Sequence, residues 1–272
     1  MAQVRFMNTR CVVLLATGVA VGAARPLLAQ APASRPASAP AVALDPAVER
    51  ILDRLEAKGR EIKDIECRIV YLKEDPIFNG EERFEGVLLF KEDKPNPLFH
   101  IRFDRSVANG RPSDKKEWHV FDGQWYTEAR EKTLTKIKHQ VLRPGENRQL
   151  FRLGQGPFPL PFGQTKADIV KHLSVRLIPP DPKAPKTLAD TDHLECTPLP
   201  GTELDRKYET IHFWIDRALA MPRRVQTVEK EQGDKITADF SDARTNTGIA
   251  GSRLSLPELK DYAESVEPLP PP

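Results

Sequence analysis

The feature that most constrains this chain is a change of period. From about residue 65 onward, apolar side chains recur at every second position in segment after segment, the spacing of pleated strands whose side chains point alternately to two faces. Ile65, Cys67, Ile69 and Tyr71 alternate with Glu66, Arg68, Val70 and Leu72. Phe84, Leu88 and Phe90 share a face with Gly86, while Val87 and Leu89 occupy the other. Phe99, Ile101 and Phe103 alternate with His100, Arg102 and Asp104, and Ile211, Phe213 and Ile215 with His212, Trp214 and Asp216. Trp118–Phe121 and Gln124–Glu128, joined by Asp122-Gly123, predict a hairpin with a two-residue turn, because Asp-Gly readily takes the positive φ such turns need. Further strands are expected at 133–140, 173–179, 192–198, 208–216, 221–230 and 234–242. The total is about eleven strands, mostly consecutive, which is the pattern of an antiparallel meander.

One helix precedes them. Asp45 is an N-cap acceptor and Pro46 stands at the first helical position. Val48, Ile51, Leu52 and Leu55 then form one apolar stripe, and Gly59 is the expected stop. This helix should lie against the sheet. Several strands carry bulky apolar residues on both faces, as with Val87 and Leu89 opposite Leu88 and Phe90. A flat sheet with one wet face has no use for that pattern, whereas a curved sheet with a filled or covered inside requires it. The strand pattern therefore points to an apolar hollow.

The ends of the chain differ from its middle. Arg5 and Arg10 precede an apolar run from Cys11 to Ala24, and Leu27-Leu28-Ala29 offers a small-residue cleavage site. That is the pattern of an export signal over 1–29, so an exported, periplasmic protein that is soluble after cleavage is expected. The run is short for a membrane anchor. Residues 30–45 form an Ala/Pro-rich linker, and the chain closes on Pro-Leu-Pro-Pro-Pro. Removing the three Arg of the leader from 41 Lys and Arg leaves 38 basic against 39 acidic side chains. Without a basic excess, nucleic acid is not an expected partner. A hydrophobic share of 39 % is too high for long disorder.

Residues 141–172 interrupt the strands. Gly154-Gln-Gly-Pro-Phe-Pro-Leu-Pro-Phe-Gly163 has no charge, and its Pro and Gly residues forbid a regular helix. Phe158, Leu160 and Phe162 should therefore cover something apolar, either as a fixed plug in the core or as a movable lid over a lipid-sized cavity. A short helix, Thr165–His172, follows, with Thr165 as its cap and Asp168 at the third position.

The order of motifs resembles the LolA-like lipoprotein carriers. The helix is followed by Phe84-Glu-Gly-Val-Leu-Leu-Phe-Lys91, then Pro95-Asn-Pro-Leu-Phe-His-Ile-Arg102, the Val120–Tyr126 hairpin, and Tyr208–Asp216 leading into Leu219-Ala-Met-Pro222. The similarity covers about residues 46–243, leaving 244–272 as a C-terminal extension with a Pro-rich tail. It implies a mainly β (α+β) fold, an incomplete antiparallel β-barrel of about eleven strands with an N-terminal helix and short lid helices. It also implies a carrier that binds lipid or lipoprotein acyl chains in an apolar cavity, uses no cofactor and meets a membrane-associated protein partner. Cavity candidates are Ile69, Tyr71, Leu88, Phe90, Ile101, Phe103, Trp118 and Trp125 on the strands, with Phe158, Leu160 and Phe162 on the lid. The alternative on the same fold is a periplasmic protein-interaction or envelope-sensor module. The proline-rich segment Pro179–Lys186 departs from the family pattern.

Chemistry-bearing motifs are absent from the sequence. The six histidines form no HxH, HExxH or H-x₃-H pair, so metal-ligand spacing is missing. Neither a nucleophile elbow nor a P-loop is present, and no enzyme activity is expected. Asp122 and Asp216 read as turn residues. Once the leader is removed, Cys67 and Cys196 remain. They form either a disulfide, worth on the order of 5 kcal/mol for so long a loop, or two separate buried thiols.

Overall fold

The computed structural model describes residues 44–146 and 165–270. Helix α1 (Pro46–Glu61) starts as expected, with the Asp45 carboxylate accepting from the Ala47 amide at 2.7 Å. It runs past Gly59 to Glu61, with Lys58 and Arg60 complementing the last turn and the extended backbone of Ile62 ending it. Its stripe Val48, Ile51 and Leu52 is buried.

The strands are β1 (Asp64–Asp75), β2 (Gly80–Lys91), β3 (Leu98–Ala108), β4 (Arg111–Ser113), β5 (Glu117–Phe121), β6 (Trp125–Arg130) and β7 (Thr135–Gln140). After α2 (Lys166–His172) come β8 (Leu173–Ile178), β9 (Thr191–Pro198), the short α3 (Glu203–Lys207), β10 (Tyr208–Asp216), β11 (Pro222–Glu229), β12 (Lys235–Thr245) and β13 (Ala263–Glu267). All join one sheet in the order β13-β7-β6-β5-β3-β2-β1-β12-β11-β10-β9-β8, with β4 paired to β3. Neighbours are antiparallel except β13, which runs parallel to β7. The fold is mainly β, an open and almost wholly antiparallel sheet with few helices, as a half-barrel requires. The described residues supply thirteen strands where the alternation predicts about eleven. The unforeseen strands are β4, of three residues, and β13, in which no buried side chain leaves an alternating pattern.

One face of the sheet carries the core. Ile65, Cys67 and Ile69 of β1, Leu88 and Phe90 of β2, and Phe99, Ile101 and Phe103 of β3 share a cluster with Ile211, Phe213 and Ile215 of β10 and with the α1 stripe. Cys67 and Cys196 are buried in it as free thiols, so the second of the two cysteine readings applies.

The opposite face explains the two-sided apolar pattern. Residues 246–262 leave β12 and cross that face before entering β13 at the far edge. Ile249 and Leu254 pack there on Leu89, flanked by Val87 and Leu98. The crossing is pinned at its start. Asn246 donates to Glu61 O at 2.9 Å and accepts from the Lys63 amide at 2.7 Å. The Asp64 carboxylate accepts from the Thr247 and Gly248 amides at 2.8 and 2.9 Å. Arg253 then grips Glu66 with both terminal nitrogens at 2.9 and 2.8 Å.

The β5–β6 hairpin is shifted by one residue from expectation. The Asp122 amide donates to Trp125 O at 3.1 Å, which leaves Gly123 and Gln124 as the loop. Gly123, at φ +96°, takes the first loop position, where a type II′ turn needs positive φ. The Asp122 carboxylate instead accepts from the Gln124 and Trp125 amides at 3.0 and 2.8 Å.

Candidate functional site

Gly86 sets the curvature of the concave face. The register slips between Glu85 and Gly86, so that Glu85 opposes Arg105 while Gly86 opposes Phe103. At that bulge the β3 backbone passes so close that a Cβ on Gly86 would sit 1.9 Å from Arg102 O and 2.7 Å from Phe103 Cα. Glycine in a strand interior serves such a close backbone approach, and a bulge bends the strand that carries it.

Aromatic side chains gather around the bend. The Phe84 and Phe103 rings lie 5.3 Å apart, and Tyr71 is 6.2 Å from each. Phe103 meets His119 edge-on at 5.7 Å. His119 stacks on Tyr126, and its Nδ1 is hydrogen-bonded to the Tyr126 hydroxyl at 2.7 Å. Burial pushes the Tyr71 and Tyr126 hydroxyls above their ordinary range. Burial, reinforced by the Arg130 charge, lowers His119 to about 3, so its imidazole is neutral at pH 7. Glu117 opposes Arg130 and His119 opposes Glu128 at the rim, where Arg130 pairs with both carboxylates. The wall is therefore apolar in its centre and charged at this edge.

A pocket of about 530 Å³ opens beside the wall, at a second irregularity. Glu66 opposes Arg244 and Arg68 opposes Ser241, so Asp242 and Ala243 together face Cys67, with Asp242 at φ +53°. Cys67, Leu188, Met221 and Phe240 give the pocket apolar walls, and Phe240 opposes Ile69 across the β1–β12 ladder. Burial raises the Cys67 thiol to about 12, which keeps it protonated. Thr187, Asp216, Arg223, Asp239, Ser241 and Asp242 supply its polar lining. Arg223 Nε pairs with the buried Asp216 carboxylate at 2.6 Å, and Nη1 donates to Thr187 O at 2.9 Å. The other Asp216 oxygen accepts from the Ala218 and Leu219 amides at 2.7 Å each, the turn role read from the sequence.

The sequence-predicted residues divide. Ile69, Leu88, Phe90, Ile101 and Phe103 are brought together on the concave face and are buried, with Tyr71 packed against them. Trp118 and Trp125 stand on the opposite face: Trp118 opposes Arg102 and Ala129, and Trp125 opposes Gln140. Their places on the concave face belong to His119, Phe121 and Tyr126. The alternation of β5 alone separates two faces without labelling either, and only pairing with β3 assigns them. Phe158, Leu160 and Phe162 lie outside the described residues, so their plug and lid readings stand as expectations. Phe240, Met221 and Leu188 were missed; Met221 and Leu188 belong to a turn and a single 3₁₀ turn, which carry no periodic signal. Among the described residues, no group of three or more His, Cys, Asp or Glu side chains is assembled to hold a metal, and no helix is long and apolar enough to cross a membrane.

No protein-family model and no curated protein matches the chain. Among solved structures it is similar to an uncharacterized conserved protein from Thermus thermophilus, at 12 % identity and a TM-score of 0.46, over 81 % of this chain and 99 % of that one. It is also similar to MucB, at 12 % identity and a TM-score of 0.42, over 79 % of this chain and 64 % of that one. A LolA superfamily protein from Nitrosomonas europaea aligns at 11 % identity and a TM-score of 0.33, over 76 % and 97 % of the two chains.

Proposed function

We propose that the chain is an exported binding protein that takes an acyl chain, from a lipid or a lipoprotein, into the pocket beneath the β12 bulge and performs no chemistry on it. The observation that carries this reading is the pocket: about 530 Å³, with Cys67, Leu188, Met221 and Phe240 as its apolar lining beside a polar rim of Asp216, Arg223, Asp239 and Asp242, and continuous through Phe240 with the apolar wall. That volume falls within the roughly 300–1,000 Å³ of small-molecule sites. Acyl chains are retained by area removed from water and need no directional bonds, which suits such walls. The leader read over 1–29 supports export, and the absence of catalytic motifs from the sequence supports binding without turnover.

The test is mass spectrometry of lipids extracted from protein purified after export, together with displacement of a fluorescent fatty acid. Copurified acyl lipid, and a Met221→Trp variant that folds but binds the probe at least tenfold more weakly, would support the reading. A protein that carries no lipid and takes up no probe would overturn it.

A further inference from the structure

The convex face of β8–β12 carries two cross-strand rows. Register places Ile178, His193, Trp214, Arg224 and Asp239 in one, and Arg176, Glu195, His212, Gln226 and Thr237 in the next. Most members satisfy one another. Arg224 holds Asp239 through two hydrogen bonds at 2.6 and 2.8 Å, Gln226 donates to Thr237 at 3.0 Å, and Arg176 pairs with Glu195 at 2.6 Å. The histidines instead face each other across the rows, with His193 Nε2 3.1 Å from His212 Nδ1. Trp214 stacks on the His193 ring at 4.2 Å and 13°, with Arg224 5.7 Å from the Trp214 ring.

We propose that His193 and His212 form a two-point chelate for a borderline divalent cation of the Cu²⁺ or Zn²⁺ type. Two imidazole nitrogens each about 2.0–2.1 Å from one ion, at angles between square-planar and tetrahedral, stand about 2.9–3.4 Å apart, and the observed separation lies inside that span. Metal binding requires neutral imidazole. The ring that donates in the present hydrogen bond moves its proton to its other nitrogen, with no net proton release. Stacking against Trp214 limits rotation of His193, which fixes half of the chelate in advance. Water fills the remaining positions, because Glu195, opposite His212 on β9, is held by Arg176 at 2.6 Å. Access is provided by a groove of about 500 Å³ between the proline-rich segment and this face, lined by Pro179, Pro180, Asp192, His193 and Trp214.

Untagged protein titrated with Cu²⁺ at pH 7, followed by tryptophan fluorescence and calorimetry, tests it. The expected result is saturable quenching at one equivalent, reversed by excess Zn²⁺. His193→Ala and His212→Gln should each weaken binding at least tenfold, and Glu195→Gln by less. Trp214→Phe should remove most of the quenching while calorimetric binding persists. A circular-dichroism melt of each variant confirms folding. No saturable binding, or binding unchanged in both folded histidine variants, would leave an imidazole–imidazole hydrogen bond only and overturn the proposal.

Discussion

A methyl group in place of the Gly86 hydrogen would lie 1.9 Å from Arg102 O, a backbone atom that cannot swing aside. Gly86→Ala is therefore expected to cost about 3 kcal/mol or more, the upper range for overpacking, read as a lower urea midpoint. The sequence places Gly86 on a face with Leu88 and Phe90, but nothing in the alternation reveals that β3 bulges against it, because a bulge is a property of the pair. The same holds for Trp118 and Trp125, whose face is assigned only by the pairing of β5 with β3. His119 carries a pH dependence. Its folded pKa of about 3 lies below its ordinary 6.5. Between those values the unfolded chain binds a proton that the folded one refuses, so stability is complete above about 6.5 and falls as pH drops toward 3. This one group contributes at most about 1.4 kcal/mol per pH unit in that window. The urea midpoint should fall between pH 7 and 4.5, and His119→Gln should flatten the fall; an equally steep variant would show that other groups dominate.

The helix, the mid-chain strands and the cap of α2 are legible because each satisfies a local rule. Thr165 Oγ1 accepts from the Asp168 amide at 3.0 Å, as the Thr-x-x-Asp spacing predicts. The C-terminal crossing is not legible, since its two apolar anchors, Ile249 and Leu254, are too few to make a period. It nevertheless explains why Val87 and Leu89 are apolar. Its two parts should differ sharply on removal. Ending the chain after Tyr262 takes away β13, whose five side chains are all exposed, and should cost about 1 kcal/mol or less, the range of exposed substitutions and surface ion pairs. Ending it after Thr245 also uncovers Leu89 and removes both buried anchors, each worth about 2–5 kcal/mol. Thermal melts of the two truncations check this, and equal losses would assign the crossing no greater role than the terminal strand.

Across the molecule, the two buried thiols report on different regions. Cys67 lines the pocket, whereas Cys196 stands on β9, inside the core. Both are raised to about 12 by burial and should resist iodoacetamide in the folded protein, while two thiols should titrate after denaturation without reductant. Acyl occupancy of the pocket should slow the residual labelling of Cys67 further and leave Cys196 unchanged, as followed by peptide mass spectrometry. Equal protection of both would indicate general stabilisation in place of occupancy.

The seam between β1 and β12 has a consequence for how the molecule comes into being. Ile69 is made early and Phe240 late, yet the two stand opposite each other in the middle of the sheet. Until the last quarter of the polypeptide has been delivered, the first strand keeps a raw flank along which no later strand has zipped. Assembly of such distant pairings is slow, and it leaves a sticky border exposed in the interval.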